Sequence, residues 1–288
     1  MIVEARAKIN WTLEIKGVRP DGYHLLDMLM QPVTLSDELT LIPAEGISLR
    51  CESGPGIPCD RRNLAWRAAE ALRRETGCGL GVDILLRKRI PSGAGLGGGS
   101  ADAAAVLLGL NRLWHLGLTR ERLESIGLTL GADVPFCVRG GLTRVEGIGE
   151  KLESLGQVPP LHLVILQPCE GLSTAEIYAG WHQLEDCPPV HHQRTLEALR
   201  HGSPSDLPPS PGNHLETVSL QRQPAIGEAL KQLFDLGAPC AQMSGSGSAV
   251  FGVFPDAEKA DAAAGVLRSR YDRMYRCETA DQSILFTR

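Results

Sequence analysis

The stretch that decides the fold of this 288-residue chain is residues 91–100, which reads Pro91-Ser92-Gly93-Ala94-Gly95-Leu96-Gly97-Gly98-Gly99-Ser100. Seven of the eight residues from 93 to 100 are Gly, Ala or Ser. Glycine lets backbone amides approach a ligand closely and tolerates positive φ. An alanine-rich helical pattern follows at once, and the N-terminus of a helix offers unpaired N–H groups and a positive dipole to an anion. This glycine-rich loop therefore predicts a phosphate site; the alternative is a tight strand–helix turn.

The loop does not fit three other well-known phosphate-binding patterns. Gly93, Gly95 and Gly98 satisfy G-x-G-x-x-G. A dinucleotide-binding unit, however, also carries an acidic residue at a strand tip about 20 residues later. Residues 114–124 read instead as the end of one helix and the start of another. The sequence also lacks the Gly-Lys-Ser/Thr of a Walker A loop and the Val-Ala-Ile-Lys and His-Arg-Asp motifs of protein kinases.

Apolar patterns of period two and period 3.6 extend outward from the loop in both directions. A second half of the chain begins near residue 158. The proline-rich stretch 186–212 predicts surface loops around one short helix at 193–201, because proline disrupts helix interiors and central strands. The other predicted elements are strands within 1–42 around a turn at 17–22, a helix at 63–76 capped by Asn63, a strand at 82–86, a helix at 100–115, a strand at 161–165, helices at 173–184 and 225–236, a strand at 249–254, a helix at 256–270 and a final strand at 283–286.

The composition is that of an ordinary globular protein, with 43% hydrophobic and 22% charged residues. A formal net charge of −5 argues against nucleic-acid binding, which usually needs a basic face. No apolar run approaches the roughly 18 residues that span a bilayer, and the N-terminus lacks the apolar core of a signal peptide. The eight cysteines form no Cys-x-x-Cys pair and are expected to be reduced thiols. We expect a cytoplasmic protein that binds neither membrane nor nucleic acid.

Two further segments give the glycine-rich loop its context. Ala7-Lys8-Ile9-Asn10 precedes it near the N-terminus, and Met243-Ser244-Gly245-Ser246-Gly247-Ser248-Ala249 follows it near the C-terminus. In order and spacing, the three segments resemble the three motifs of the GHMP kinases. The resemblance implies an α+β, two-lobed fold: a ribosomal-S5-like, ATP-binding lobe at 1–155 and a ferredoxin-like lobe at 156–288. The site is expected in the cleft between the lobes.

Flanking segments are similar to one branch of this superfamily, the kinases of the methylerythritol phosphate route to isoprenoid precursors. The segments are Arg19-Pro20-Asp21-Gly22-Tyr23-His24, Asn63-Leu64, and residues 130–136, 147–150 and 173–178. The resemblance implies that ATP phosphorylates the 2-hydroxyl of a cytidyl-diphosphate-linked methylerythritol.

Three alternatives to this branch stay open. One is another GHMP kinase acting on mevalonate, homoserine or a sugar, against which the Asp21–His24 turn argues. The second is a catalytically silent nucleotide-binding regulator, against which the retention of Lys8 and Asp133 argues. The weakest is a nicotinamide-dependent dehydrogenase that uses the G-x-G-x-x-G match.

Lys8 and Asp133 are the candidate catalytic residues. A hydroxyl is a poor nucleophile until its proton has an acceptor, and a positioned carboxylate can take it during phosphoryl transfer. An ammonium beside that carboxylate would orient it and stabilise charge on the transferred group. The alternatives are that Asp133 caps a helix before Pro135 and that Lys8 is a solvated strand residue.

The resemblance also implies which residues hold the two ligands. Tyr23 and Tyr178 are expected to stack on the cytosine ring, and His24 and Asn10 to select it by hydrogen bonding. The ATP-binding candidates are Asn63, Lys88, Pro91, Gly93, Gly95, Leu96, Gly97, Gly98, Gly99, Ser100 and Ala101. The substrate-binding candidates are Asn10, Tyr23, His24, Thr174, Tyr178, Gly245, Ser246 and Gly247.

ATP is expected as the co-substrate and Mg²⁺ as the ion that accompanies it, held mainly through the ATP phosphates, and no side chain is assigned as its ligand. The pair His191-His192 reads as surface loop and not as a metal site. We expect a monomer or a weak homodimer.

Overall fold

The computed structural model describes residues 1–53 and 56–287, which form two β-sheets with helices packed against them. The strands are β1 (Ile2–Val18), β2 (His24–Ala44), β3 (Ile47–Ser53), β4 (Gly81–Arg87), β5 (Thr143–Gly147), β6 (Lys151–Ser154), β7 (His162–Leu166), β8 (Cys240–Met243), β9 (Val250–Phe254), β10 (Met274–Glu278) and β11 (Ile284–Thr287). The helices are α1 (Leu64–Thr76), α2 (Gly98–Leu113), α3 (Arg120–Leu128), α4 (Val134–Arg139), α5 (Thr174–Trp181), α6 (His192–His201), α7 (Glu216–Arg222), α8 (Pro224–Asp235) and α9 (Ala257–Leu267).

The first sheet is built around the long antiparallel pair β1 and β2. The turn between them closes through a hydrogen bond from the Arg19 amide to the Tyr23 carbonyl. The order along the sheet is β11-β1-β2-β4-β3, with β5 also pairing β2 and β6 pairing β5. Only the β3–β4 pair is parallel among the described strands. Buried and more exposed residues alternate at the two ends of β1, as the predicted period of two requires, whereas every residue from 7 to 13 is buried.

The second sheet is antiparallel, in the order β10-β7-β9-β8. Helices α8 and α9 contact this sheet. With the first sheet it gives the two-lobed α+β architecture that the sequence predicted.

The last strand modifies the simple division of the chain into two halves. Strand β11 pairs with β1 in the first sheet, with Ala5 opposite Ile284. The predicted second lobe, 156–288, therefore contributes its end to the sheet of the first. The boundary near residue 155 stays a prediction.

Most predicted elements are present, with ends that differ by a few residues. Asn63 caps α1, because its side chain accepts a hydrogen bond from the Ala65 amide at 2.9 Å. The proline-rich stretch holds α6 and a 3₁₀ turn, Pro204–Asp206. Strands β3, β5, β6, β8 and β10 and helices α4 and α7 were not predicted from the sequence. These elements are mostly seven residues or shorter, which leaves too few positions for a periodic pattern. None of the described helices is long and apolar enough to cross a membrane.

Candidate active site

The three motif segments meet at the junction of the two lobes. The Ser244 hydroxyl donates to the Gly95 carbonyl at 3.0 Å and accepts from the Asn10 amide at 3.2 Å. The Lys8 amide donates to the Leu96 carbonyl, also at 3.0 Å. Segments that are more than 80 residues apart in the chain are thus joined by direct hydrogen bonds.

The glycine-rich loop needs glycine for two physical reasons. Gly93, Gly95 and Gly97 all have φ between +67° and +78°, a conformation that costs other residues energy. A Cβ on Gly95 would also lie 2.1 Å from the Ser244 carbonyl oxygen, so the close approach of the third motif depends on a hydrogen at this position. Helix α2 begins at Gly98, and no side chain caps its first turn. That these N-terminal amides bind phosphate stays a prediction.

Lys8 and Asp133 lie side by side next to the loop. The Lys8 Nζ atom is 3.4 Å from Asp133 Oδ2 and donates to Asn10 Oδ1 at 2.6 Å. The lysine side chain is 5% exposed, whereas that of Asp133 is 33% exposed. The aliphatic part of Lys8 passes over Gly97, where a Cβ would lie 2.9 Å from Lys8 Cγ. The ammonium is therefore fixed between the loop and the carboxylate.

Asp133 occupies the N-cap position of α4, but its carboxylate makes no capping hydrogen bond. Pro135 follows within the first turn and supplies no backbone N–H there. Helix capping, the alternative role, therefore fits the position of Asp133 at the start of α4, but the carboxylate itself does not cap the helix. The carboxylate is partly exposed and remains accessible to a ligand.

A cavity of about 340 Å³ opens at this junction. The Thr174 hydroxyl, at the start of α5, is 2.9 Å from the Ser246 hydroxyl and closes one side of it. The predicted site residues that line the cavity are Lys8, Asn10, Gly93, Gly95, Gly97, Ser100, Asp133, Thr174, Tyr178, Gly245 and Ser246. The apolar wall of the cavity was not predicted from the sequence; it is formed by Leu13, Leu26, Met28, Ala132, Ile148 and Leu215, together with Gly149. Leu13, Leu26 and Met28 lie on strands and the other apolar residues lie in turns or at a helix start, and apolar residues carry no local signal that separates a cavity wall from core.

Other predicted site residues lie outside this lining. The side chain of Asn63 is hydrogen-bonded to nearby backbone: besides capping α1, its side-chain amide donates to the Pro58 carbonyl at 2.9 Å. Leu96 and Ala101 are buried in the core. Tyr23 is 60% exposed in the β1–β2 turn. His24, not Tyr23, contacts Tyr178, with ring centroids 4.4 Å apart. The ligand contacts of these residues, and of Pro91, Gly98, Gly99 and Gly247, stay predictions.

Lys88 lies under the glycine-rich loop in a buried ion triad with two acids that the sequence analysis did not single out. Its ammonium contacts Asp37 closely and donates to Asp102 Oδ2 at 2.8 Å. Asp37 also accepts hydrogen bonds from the amides of Arg89 and Ile90, at 2.6 and 2.9 Å. Burial raises the pKa of Asp102 to about 7 even though Lys88 opposes this. Burial opposes the charge on Lys88, but the two carboxylates outweigh it and raise the lysine pKa.

His192 belongs to a polar network and not to a loop, because it begins α6. Its ring contacts the Thr12 hydroxyl at 2.8 Å and Glu14 Oε2 at 3.1 Å. Glu14, Asp27 and His192 bring one potential ligand atom each within 4.8 Å of the others. Arg144, however, donates twice to Asp27, at 2.9 and 2.6 Å. These contacts form a hydrogen-bonded ion network that joins α6 to the first sheet.

Glu216, at the start of α7, supports the third motif by accepting the Met243 amide at 2.8 Å. Burial raises the pKa of Glu216 to about 7, although this hydrogen bond lowers it. An unfolded glutamate titrates near pH 4.3. Because the folded pKa is the higher one, the glutamate's contribution to stability is largest below about pH 4 and is lost as the pH rises through 7.

We therefore expect Glu216→Gln to gain stability relative to the wild type between pH 5 and pH 8. The gain is at most about 3 kcal/mol, because the side chain keeps some accessible surface that screens its charge. Urea unfolding at several pH values measures it, with the exposed Glu185→Gln as the matched control. A difference that does not change with pH would contradict the assignment.

Family models match both lobes of the chain. The GHMP kinases N terminal domain matches residues 63–141, and the GHMP kinases C terminal domain matches residues 195–273. Homoserine kinase from Cytophaga hutchinsonii has the same fold, with a TM-score of 0.72 at 19% identity over 99% of this chain and 96% of that one. Fold, site and family models together define the class of the protein as a GHMP kinase, which uses ATP as co-substrate to phosphorylate a small molecule.

Closer relatives narrow the class. The 4-diphosphocytidyl-2-C-methyl-D-erythritol kinase of Pelotomaculum thermopropionicum is 43% identical over 286 residues, covering 99% of this chain and 96% of the relative. A crystal structure of 4-(cytidine 5'-diphospho)-2C-methyl-D-erythritol kinase superimposes with a TM-score of 0.83 at 37% identity, over 97% of this chain and 99% of that one. The chain belongs to the 4-diphosphocytidyl-2-C-methyl-D-erythritol kinase family.

Proposed function

We propose that this chain transfers the γ-phosphoryl group of ATP to the 2-hydroxyl of 4-diphosphocytidyl-2-C-methyl-D-erythritol, in the methylerythritol phosphate pathway. The observation that carries the chemistry is the contact between Lys8 and Asp133, 3.4 Å apart, in a cavity walled by the glycine-rich loop. Membership in the kinase family supports the choice of substrate.

The residues supply what phosphoryl transfer requires. A new bond forms between the substrate oxygen and the γ-phosphorus, the bond from that phosphorus to the bridging oxygen breaks, and ADP leaves. The hydroxyl proton passes to Asp133, and the ammonium of Lys8 stabilises negative charge on the transferred group. The amides at the start of α2 are available to the phosphates of ATP.

Mg²⁺ fits this donor set. The cavity offers oxygen atoms from the Ser100 hydroxyl and the Asp133 carboxylate, which is the ligand type that this ion prefers. When bound, the ion neutralises charge on the ATP phosphates. We expect it to be held mainly by those phosphates and by water.

Substrate recognition is assigned to the elements around Tyr178. Thr174 is expected to contact the polar part of the substrate, and Tyr178, which lines the cavity, to stack on the base. Tyr23, in the exposed turn, is expected to stack on the other face of the ring.

Replacing Tyr23 by Ala is expected to raise the KM of the cytidyl substrate about fivefold or more, because a base–aromatic stack is lost. Because Tyr23 lies outside the cavity lining, kcat and the KM of ATP are expected to stay near their wild-type values. Steady-state kinetics measure all three. An unchanged KM for the cytidyl substrate would remove Tyr23 from the binding site.

The assay that tests the proposed function supplies ATP, Mg²⁺ and the cytidyl substrate, and follows ADP release together with the phosphorylated product. Mevalonate and homoserine serve as control substrates. We expect turnover of the cytidyl compound alone. Turnover of a control substrate in its place would assign the chain to another branch of the GHMP kinases, and nucleotide binding without turnover would make it a regulator.

We also propose that the reaction takes place in the cytoplasm and that the enzyme acts as a monomer or weak homodimer. The negative net charge is compatible with the cytoplasm, and a cavity lined by residues of one chain is compatible with a monomer or weak homodimer. Light scattering across a range of concentrations measures the oligomeric state.

A further inference from the structure

A cluster of four rings lies at the edge of the cavity, where β2 begins and α5 ends. We call His24, Tyr178, Trp181 and His182 the ring cluster. The His24 ring centroid is 4.4 Å from that of Tyr178, 5.8 Å from that of Trp181 and 5.0 Å from that of His182. Tyr178 lines the cavity, so the cluster continues directly from the cavity wall.

Within the ring cluster, the Nε2 atoms of His24 and His182 are 3.1 Å apart. Two ring nitrogens at this distance form a hydrogen bond only when one proton lies between them. If His182 donates, His24 Nε2 is the acceptor and a neutral His24 must carry its proton on Nδ1. If His24 donates, its Nδ1 holds a lone pair. Nδ1 has no hydrogen-bond partner in the parts of the chain that the structure describes.

The surroundings of the two rings favour donation by His182. His182 is exposed at the end of α5, whereas His24 is half-buried against Tyr178. Burial, and then the charge of a protonated His182, lower the pKa of His24. A neutral His24 ring has one nitrogen that accepts and one that donates, so Nε2 can accept from His182 while Nδ1 carries the proton.

We propose that His182 is a positioning residue: it holds His24 in the tautomer that carries its proton on Nδ1, as a donor for the pyrimidine of the substrate. The inference rests on the proposed function. Cytosine presents the acceptors O2 and N3, whereas uracil carries a proton on N3. A fixed donor on His24 that is directed at N3 thus favours a cytidyl over a uridyl diphosphate compound, and His182 contributes to specificity without touching the base.

The kinetic test compares His182→Ala with His182→Gln, whose side-chain amide can also donate to His24. We expect His182→Ala to raise the KM of the cytidyl substrate roughly three- to tenfold, because one fixed hydrogen bond is lost. We also expect it to narrow the kcat/KM preference over the uridyl analogue. His182→Gln is expected to restore most of the lost affinity for the cytidyl substrate and most of the preference for the cytidyl over the uridyl compound. Its kcat and its KM for ATP are expected to match those of the wild type. The exposed His201→Ala is the matched control.

The second measurement does not depend on activity. Histidine-selective ¹⁵N NMR on the full chain, with His24→Asn to assign the signal, reports which ring nitrogen of His24 carries the proton. We expect the proton of His24 on Nδ1 in the wild type and in His182→Gln. In His182→Ala we expect this preference for Nδ1 to be lost.

The two measurements separate a failure of this inference from a failure of the proposed function. An inactive wild type would reject the cytidyl substrate, while the NMR result would still decide the tautomer. Wild-type His24 protonated on Nε2 would overturn the inference, as would a His182→Ala variant whose KM, base preference and tautomer all match the wild type.

Discussion

Asp133→Asn is expected to lower kcat by about 10²- to 10⁴-fold, because the amide cannot accept the proton of the attacking hydroxyl. The affinity for ATP is expected to change little, since the phosphates are assigned to the glycine-rich loop. The substitution preserves shape, and the native carboxylate makes no capping hydrogen bond that the amide would lose. Single-turnover kinetics and ATP titration measure the two effects separately.

The matched control for this variant is Asp235→Asn at the exposed end of α8, where the carboxylate pairs only with Lys231 among the described residues. We expect wild-type turnover from it. Near-normal turnover by Asp133→Asn would remove this carboxylate from the mechanism. A parallel loss of ATP binding would assign Asp133 to ligand binding instead of proton transfer.

Lys88→Met is expected to destabilise the protein by about 3–5 kcal/mol, because it leaves Asp37 and Asp102 buried without their shared cation. Asp102 Oδ1 already has no hydrogen-bond partner among the described residues, so it has little compensation for the loss. ATP affinity is expected to fall as well, because Asp37 holds the amides of Arg89 and Ile90 just before the glycine-rich loop. Urea unfolding and nucleotide titration measure these effects.

A second substitution tests the cause of this destabilisation. Adding Asp102→Asn to Lys88→Met removes one buried charge and is expected to recover part of the lost stability. The control is Lys231→Met, whose side chain is 74% exposed and pairs within α8. If Lys88→Met were no more destabilising than Lys231→Met, the triad would have no structural role.

Much of the site could be predicted from the sequence because its determinants are local. The positive φ of Gly93, Gly95 and Gly97 requires glycine, and the helix that follows requires an apolar, alanine-rich pattern. Both requirements appear as short motifs in order along the chain. Lys8 and Asp133 were predicted through the resemblance, and the structure brings their charged groups together.

The ion triad under the loop and the ring cluster could not be predicted in this way. Lys88 was expected on the ATP side, but its charged partners lie 51 and 14 residues away in the chain. His24 and His182 are separated by 158 residues, and nothing in their local sequence indicates contact. The pairing of β11 with β1 joins opposite ends of the chain and has no local signal either.

The sequence by itself determined the loop, the helix that follows it and the order of the motifs, because φ preferences and apolar periodicity act over neighbouring residues. Only the tertiary structure decided which charges share a buried environment and which rings share a proton. Hydrogen bonds and ion pairs depend on distances of about 3 Å between atoms, and those distances are set by the packing of two lobes and not by separation along the chain.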